Sequence, residues 1–371
     1  MKSKNALIDF LINPDCLKEF SLDDFDTFIK QSYSTGLVAR VFHILTTNNL
    51  CSHVPKNLQW HFSSAHKVFL AHKFDVKNEV ARIVAALKYV KVEPVFLKGT
   101  AYILANDSCH QGRLFADIDI FVDKKDITST EEILRWNGWV ANKLDEHDEK
   151  YYRDWMHEIP PMVNSKTNMT IDVHHNLIPL VSRIKLDSAK LKDRIESNKN
   201  DVKYLAPEDR VLHSAAHLLL DGEFEHGFRD VHDLYLLISE SLLINKDFLE
   251  LLRERAEQLG FELILYYCLM LQQRIFTLVI PDNYIVSLAA KIGSPVITSI
   301  VLDMFVTVIH PDTALKNSGK QRIYTQMLFI RSHWLKMPMY ILIPHLFHKA
   351  FITPYIEWKK NKDLLSKIVK D

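Results

Sequence analysis

The spacing of apolar residues changes twice along this chain, and that limits the fold to one with a sheet in its middle and helices on either side. Up to about Tyr89 the spacing is helical: Phe25, Phe28 and Ile29, then Val38, Val41, Phe42 and Leu45, then Val76, Val80, Ile83, Val84 and Leu87. Residues three and four apart share a helix face. The period then shortens. Residues 92–97 read as a strand, 100–105 as a short helix and 117–122 as a second strand. Ser129 or Thr130 would cap a helix through Glu131, Glu132, Ile133 and Leu134 that Asn137-Gly138 ends. Residues 158–163 and 169–174 read as a hairpin closed by the polar run 164–168. From Pro207-Glu208-Asp209, which suits a helix's first turn, helical spacing returns, with Leu212, Ala215, Ala216 and Leu219 in one stripe and Leu249, Leu252, Ala256 and Leu259 in another. The expected fold class is α+β. A small mixed β-sheet core at 91–180 is flanked by helical regions at 1–90 and 181–371, with Asn198-Lys199-Asn200-Asp201 as a flexible connection.

Composition excludes several classes. With 371 residues, 46 basic and 46 acidic, the net charge gives no reason to expect a long nucleic-acid partner. Glycine is sparse, at 9, and neither the dinucleotide-binding nor the P-loop fingerprint occurs. Cys16, Cys51, Cys109 and Cys268 are far apart and form no metal-ligand pair. Few cysteines and no charged-then-apolar leader suit a reducing cytoplasm. The apolar stretch 337–354 contains His345, His348, Lys349 and three prolines, so no transmembrane segment is expected there; a packed terminal helix is, with membrane-surface contact as the alternative.

Within the middle region, Asp117-Ile118-Asp119-Ile120-Phe121-Val122 alternates acid and apolar residues. On a strand, Asp117 and Asp119 share one face while Ile118 and Ile120 enter a core. Two carboxylates about 4 Å apart at an effective dielectric near 20 repel by roughly 4 kcal/mol, so such a pair keeps a proton or holds a cation. A third acid, Asp172, in Thr170-Ile171-Asp172-Val173-His174, would favour the cation if its strand lies alongside. Hard oxygen ligands suit Mg²⁺ or Mn²⁺, whose sites commonly join carboxylates to substrate phosphates. The pair alone is weak evidence, since acids often edge strands. Its combination with Leu97-Lys98-Gly99-Thr100 upstream and Asp172 downstream is specific.

Lys98-Gly99-Thr100, Arg113, Asp117-Ile118-Asp119 and Ile171-Asp172-Val173-His174 together resemble the uncharacterised nucleotidyltransferase family of the DNA polymerase beta superfamily. The similarity extends through Pro207-Glu208-Asp209 and the segments 213–221 and 229–237. The resemblance implies a metal-dependent transferase that moves a nucleoside monophosphate from an NTP, such as ATP, to an acceptor and releases pyrophosphate. It implies that Asp117, Asp119 and Asp172 are catalytic and hold Mg²⁺ or Mn²⁺, and that Gly99 and Thr100 contact the triphosphate. Two departures stand out: Thr100 where many members have serine, and a longer gap from Gly99 to Asp117, which implies an altered substrate loop at 106–115.

Other residues carry two readings each. Lys98 either neutralises phosphate or is a solvated lysine at a strand end, and Arg113 either clamps phosphate or pairs with Asp117. His174, two residues past Asp172, faces the same side and is either a support for the metal ligands, a general base or a structural histidine, while His175 faces away. His213 and His217 share a helix face and could contact acceptor or nucleotide, or bind metal with Asp221 or Asp233. Arg229, Asp230 and Asp233 could equally form an internal ion-pair group. The acceptor is a small molecule or a protein; a protein acceptor would make the chain a modifying regulator or toxin. The remaining alternative is a non-catalytic nucleotide-binding or interaction module that keeps the fold.

Overall fold

A computed structural model of the protein describes residues 5–141, 146–312, 318–348, 352–354 and 358. Seven strands form one mixed sheet: β1 (Val95–Phe96), β2 (Asp117–Phe121), β3 (Trp139–Ala141), β4 (Met162–Asn164), β5 (Thr170–His174), β6 (Ile195–Ser197) and β7 (Lys203–Leu205), in the order β3-β4-β5-β2-β1-β7-β6. The sheet is larger than the sequence suggests. Strands β3, β6 and β7 have three residues each, too short for a period to show. The segment expected to be a flexible connection, 198–201, is instead the turn of the β6-β7 hairpin, with the Asn198 side chain accepting from the backbone N–H groups of Asn200 and Val202.

β2 and β5 run parallel, with Asp119 directly opposite Asp172, while β1 pairs antiparallel to β2 and parallel to β7. The alternation of β2 and β5 then divides the sheet by face. Ile118, Ile120, Ile171 and Val173 enter a core closed by Val76, Val80, Ile83 and Leu87 of the Gln59–Lys88 helix and by Leu134. The opposite face carries Asp117, Asp119, Asp172 and His174 beside a second, larger core. In that core, Leu7, Phe10, Phe28 and Val41 from the first helices join Leu212, Leu219, Leu234, Leu265 and Phe305 from the last ones, so the two helical ends share one apolar interior.

The helix expected to start at Ser129 or Thr130 starts at Ile127; Ser129 lies inside it, its hydroxyl donating to Asp126 O, and it ends at Trp136 before Asn137 and a left-handed Gly138. Among the described residues no helix is long and apolar enough to cross a membrane. The terminal helix Met339–Phe347 is not enclosed as expected: Leu342 is buried, but Tyr340, Ile343 and Phe347 are exposed. It contains Pro344, which cannot donate to the helical ladder.

Candidate active site

β1 ends at Phe96, and the next helix begins immediately, at Lys98–Ala105, so the Lys98-Gly99 segment forms the turn between strand and helix. Lys98 adopts φ +42° there, a left-handed conformation that costs a side-chain-bearing residue roughly 1–2 kcal/mol. What holds it is an ion pair: Lys98 Nζ donates to Asp119 Oδ1 at 2.8 Å, while Leu97 N donates to Asp119 O at 3.0 Å. At Gly99 an added Cβ would lie 2.7 Å from Phe115 Cδ1, so the glycine permits the Phe115 ring to close over the turn. Thr100 sits one residue further into the helix, buried, with a hydroxyl that has no hydrogen-bond partner.

Because β2 and β5 are parallel and in register, three acids converge. Ligand oxygens of Asp117, Asp119 and Asp172 lie within 4.8 Å of one another. Burial alone would raise the Asp119 pKa, but the Lys98 ammonium and a hydrogen bond from His174 outweigh it and hold the carboxyl well below its usual range. His174 Nε2 and Asp119 Oδ1 are 2.9 Å apart, and with Asp119 ionised the imidazole is the donor. Burial and the Asp119 charge push Asp117 up. Burial, followed by the charges of Asp119, Glu158 and Asp117, pushes Asp172 up to about 9. One carboxylate is thus fixed as an anion and its neighbour is driven to take a proton unless a cation arrives. Asp172 Oδ1 is buried with no hydrogen-bond partner, which fits a ligand position.

An open cleft of ≈ 630 Å³ runs from Lys98, Gly99, Asp117 and Asp119 toward the helices Pro207–Asp221 and Gly227–Ile244. His217 is exposed and opens into it, and the Lys98 charge lowers its pKa to about 4. His213, one turn earlier, is buried, and its pKa falls well below the ordinary value through burial and then the Lys98 and His174 charges.

Arg113 lines the cleft, and of its two expected readings the pairing with Asp117 is not found. Its Nε lies 3.1 Å from Asp233 Oδ2 and its guanidinium 3.4 Å from Asp230, with its face over the Tyr102 ring. Asp233 is also held by Arg40 at 2.6 Å, and Asp230 by Arg229 at 3.1 Å. The run Arg40, Asp233, Arg113, Asp230, Arg229 alternates in sign and has arginine at both ends. The loop expected to be an altered substrate loop, 106–115, is pinned by two of these cations, Arg40 and Arg229, and by Arg210. Arg40 donates to the carbonyls of Cys109 and Gln111, Arg229 to that of Leu114, and Arg210 to the Asp107 carboxylate at 2.8 Å. At Gly112, with φ +71°, an added Cβ would fall 2.2 Å from Arg40 N, so the loop lies directly on the helix Val38–Thr47.

Sequence reasoning did not find Arg40, which lies far from the motif and whose role exists only through packing. It also missed Glu158 and His157. Glu158 forms an isolated bridge with His174, one residue out of step with the β4-β5 register of Met162 opposite Ile171. Pro160 and Pro161 explain the slip, since neither can donate to the ladder. The proline pair was the readable signal.

No curated protein and no solved structure matches the chain. A family model does match, over residues 21–277, which include the sheet, all three acids and the helices that wall the cleft. The chain belongs to the uncharacterised nucleotidyltransferase family.

Proposed function

We propose that the protein transfers a nucleoside monophosphate from an NTP to an acceptor hydroxyl or phosphate, releasing pyrophosphate, on a core of the DNA polymerase beta type. The observation that carries this reading is the convergence of Asp117, Asp119 and Asp172 from two parallel strands, with Asp117 and Asp119 lining an open cleft. Asp117 and Asp119 would hold Mg²⁺ or Mn²⁺, with Asp172 completing the set. When bound, the metal supplies polarisation of the α-phosphate and charge neutralisation at the leaving pyrophosphate.

The chain's own residues do the rest. Lys98 serves as the internal counter-charge of Asp119 and, from the same turn, offers an ammonium to the triphosphate. The Lys98-Gly99 turn brings backbone close to phosphate, as Gly99 has no side chain to bar it. Arg113 and Arg229, ordered by their aspartates, present cationic edges to the cleft. Asp172 would accept the acceptor's proton once its own has been displaced. His174 fixes the orientation of Asp119 by its hydrogen bond.

The test incubates the protein with each labelled triphosphate and Mg²⁺ or Mn²⁺, first with small-molecule extract and then with protein extract, which separates a small acceptor from a protein side chain. Asp119→Asn is expected to lower label transfer by on the order of 10²–10³-fold. Equal labelling by wild type and variant would refute the reading, and triphosphate binding without pyrophosphate release in either extract would favour the non-catalytic module.

A further inference from the structure

A second group of metal-ligating residue types adjoins the three acids. His157, Glu158 and His174 offer ligand atoms that fall within 4.8 Å of one another. We propose that His157, Glu158 and His174 form a separate binding site for a late first-row divalent cation such as Zn²⁺, distinct from the three-aspartate site and joined to it through the His174 ring.

The geometry starts from His174, whose side chain is 1 % exposed. Its Nε2–H is committed to Asp119, which leaves Nδ1 3.4 Å from Glu158 Oε2 and without a hydrogen-bond partner. Two acceptors facing each other at that distance need something positive between them. A proton would serve two atoms, but three converge: His157 Nε2 lies 3.9 Å from the same Glu158 oxygen, with its ring 5.2 Å from that of His174. Metal bonds of about 2.1 Å at tetrahedral angles place ligand atoms about 3.4 Å apart, close to the separations found here. Two imidazoles and one carboxylate are the ligand set of a zinc site with an open fourth position. Nitrogen donors also select against Mg²⁺, so the two neighbouring sites discriminate by ligand chemistry. The slip caused by Pro160 and Pro161 is what sets Glu158 opposite His174. Loading this site would stiffen the His174 ring and with it the hydrogen bond that orients Asp119.

The test uses the full chain, stripped with chelator and titrated with Co²⁺ as a spectroscopic stand-in for Zn²⁺. Asp117→Asn/Asp172→Asn empties the neighbouring acid site and leaves His174 its Asp119 partner. This variant is expected to bind one Co²⁺ with the intense visible absorption of a low-coordinate nitrogen-containing site, and excess Mg²⁺ should not displace it. His157→Ala and, separately, Glu158→Gln are expected to lose the band while keeping wild-type circular dichroism. No visible band in the Asp117→Asn/Asp172→Asn protein, a band unchanged in folded His157→Ala and Glu158→Gln, or full displacement by Mg²⁺ would each overturn the proposal. None of these readouts depends on nucleotide transfer, so failure here and failure of the proposed activity are distinguishable.

Discussion

Burial at single side chains sets several of the protein's chemical properties. His110 is 1 % exposed, with Nδ1 2.7 Å from Asp107 O and Nε2 2.8 Å from Lys73 Nζ. Burial, together with the Lys73, His43 and Arg40 charges, lowers its pKa to about 4 against the opposing backbone hydrogen bond. The unfolded chain therefore takes up a proton near pH 6.5 that the folded chain refuses until near pH 4, and stability falls as pH drops through that window. Relative to wild type, His110→Gln should show a urea-unfolding slope shallower by up to about 1.4 kcal/mol per pH unit between pH 6.5 and 4. An unchanged slope would place the titration elsewhere. Gly99 gives a second prediction at this scale. In Gly99→Ala the new methyl group would strike the Phe115 ring, so label transfer should drop by up to about 100-fold, and Phe115→Leu in the same chain should restore most of it. A double variant no better than Gly99→Ala would mean that the glycine is needed for ligand approach and not for packing.

Between elements, the buried ion-pair run fastens the helix Val38–Thr47, the 106–115 loop and the helix Gly227–Ile244 to one another. Removing one member leaves buried charge without compensation, a loss of roughly 3–5 kcal/mol, whereas the intact run need add little net stability. Asp233→Asn should therefore lower the unfolding free energy measured by urea denaturation by about that amount, and Asp230→Asn, at the more exposed end, by less. Equal losses would show that burial does not govern the pair. Gly112→Ala tests the same contact from the loop side. Left-handed φ and the 2.2 Å approach to Arg40 N leave no room for a methyl group, so a loss of about 1–3 kcal/mol by the same measurement is expected. Asp117 and Asp119 were legible as a pair because their alternation with apolar residues is local in sequence. Arg40 and Arg210, which also hold the loop, were not, because each is an ordinary surface-type residue until distant segments bury it.

Across the whole molecule, the two helical ends close a single apolar interior, with Leu7 and Phe10 in the same cluster as Leu219 and Leu265. A chain lacking residues 1–58 would uncover apolar surface on the last helices. It should bind far more of a hydrophobic dye than the full chain and elute as aggregate; a monomeric truncation with native circular dichroism would contradict that packing. By itself the sequence determined the order of helical, sheet-forming and helical regions and the alternation that puts Asp117 and Asp119 on one face. Those follow from periodicities of a few residues, which local backbone geometry enforces. Only the tertiary structure decided that Asp172 sits opposite Asp119, that Lys98 neutralises Asp119, that Arg113 pairs with Asp230 and Asp233 rather than Asp117, and that Glu158 meets His174. Strand pairing, register and burial join residues tens to hundreds of positions apart, and they are fixed by which apolar faces must be covered together.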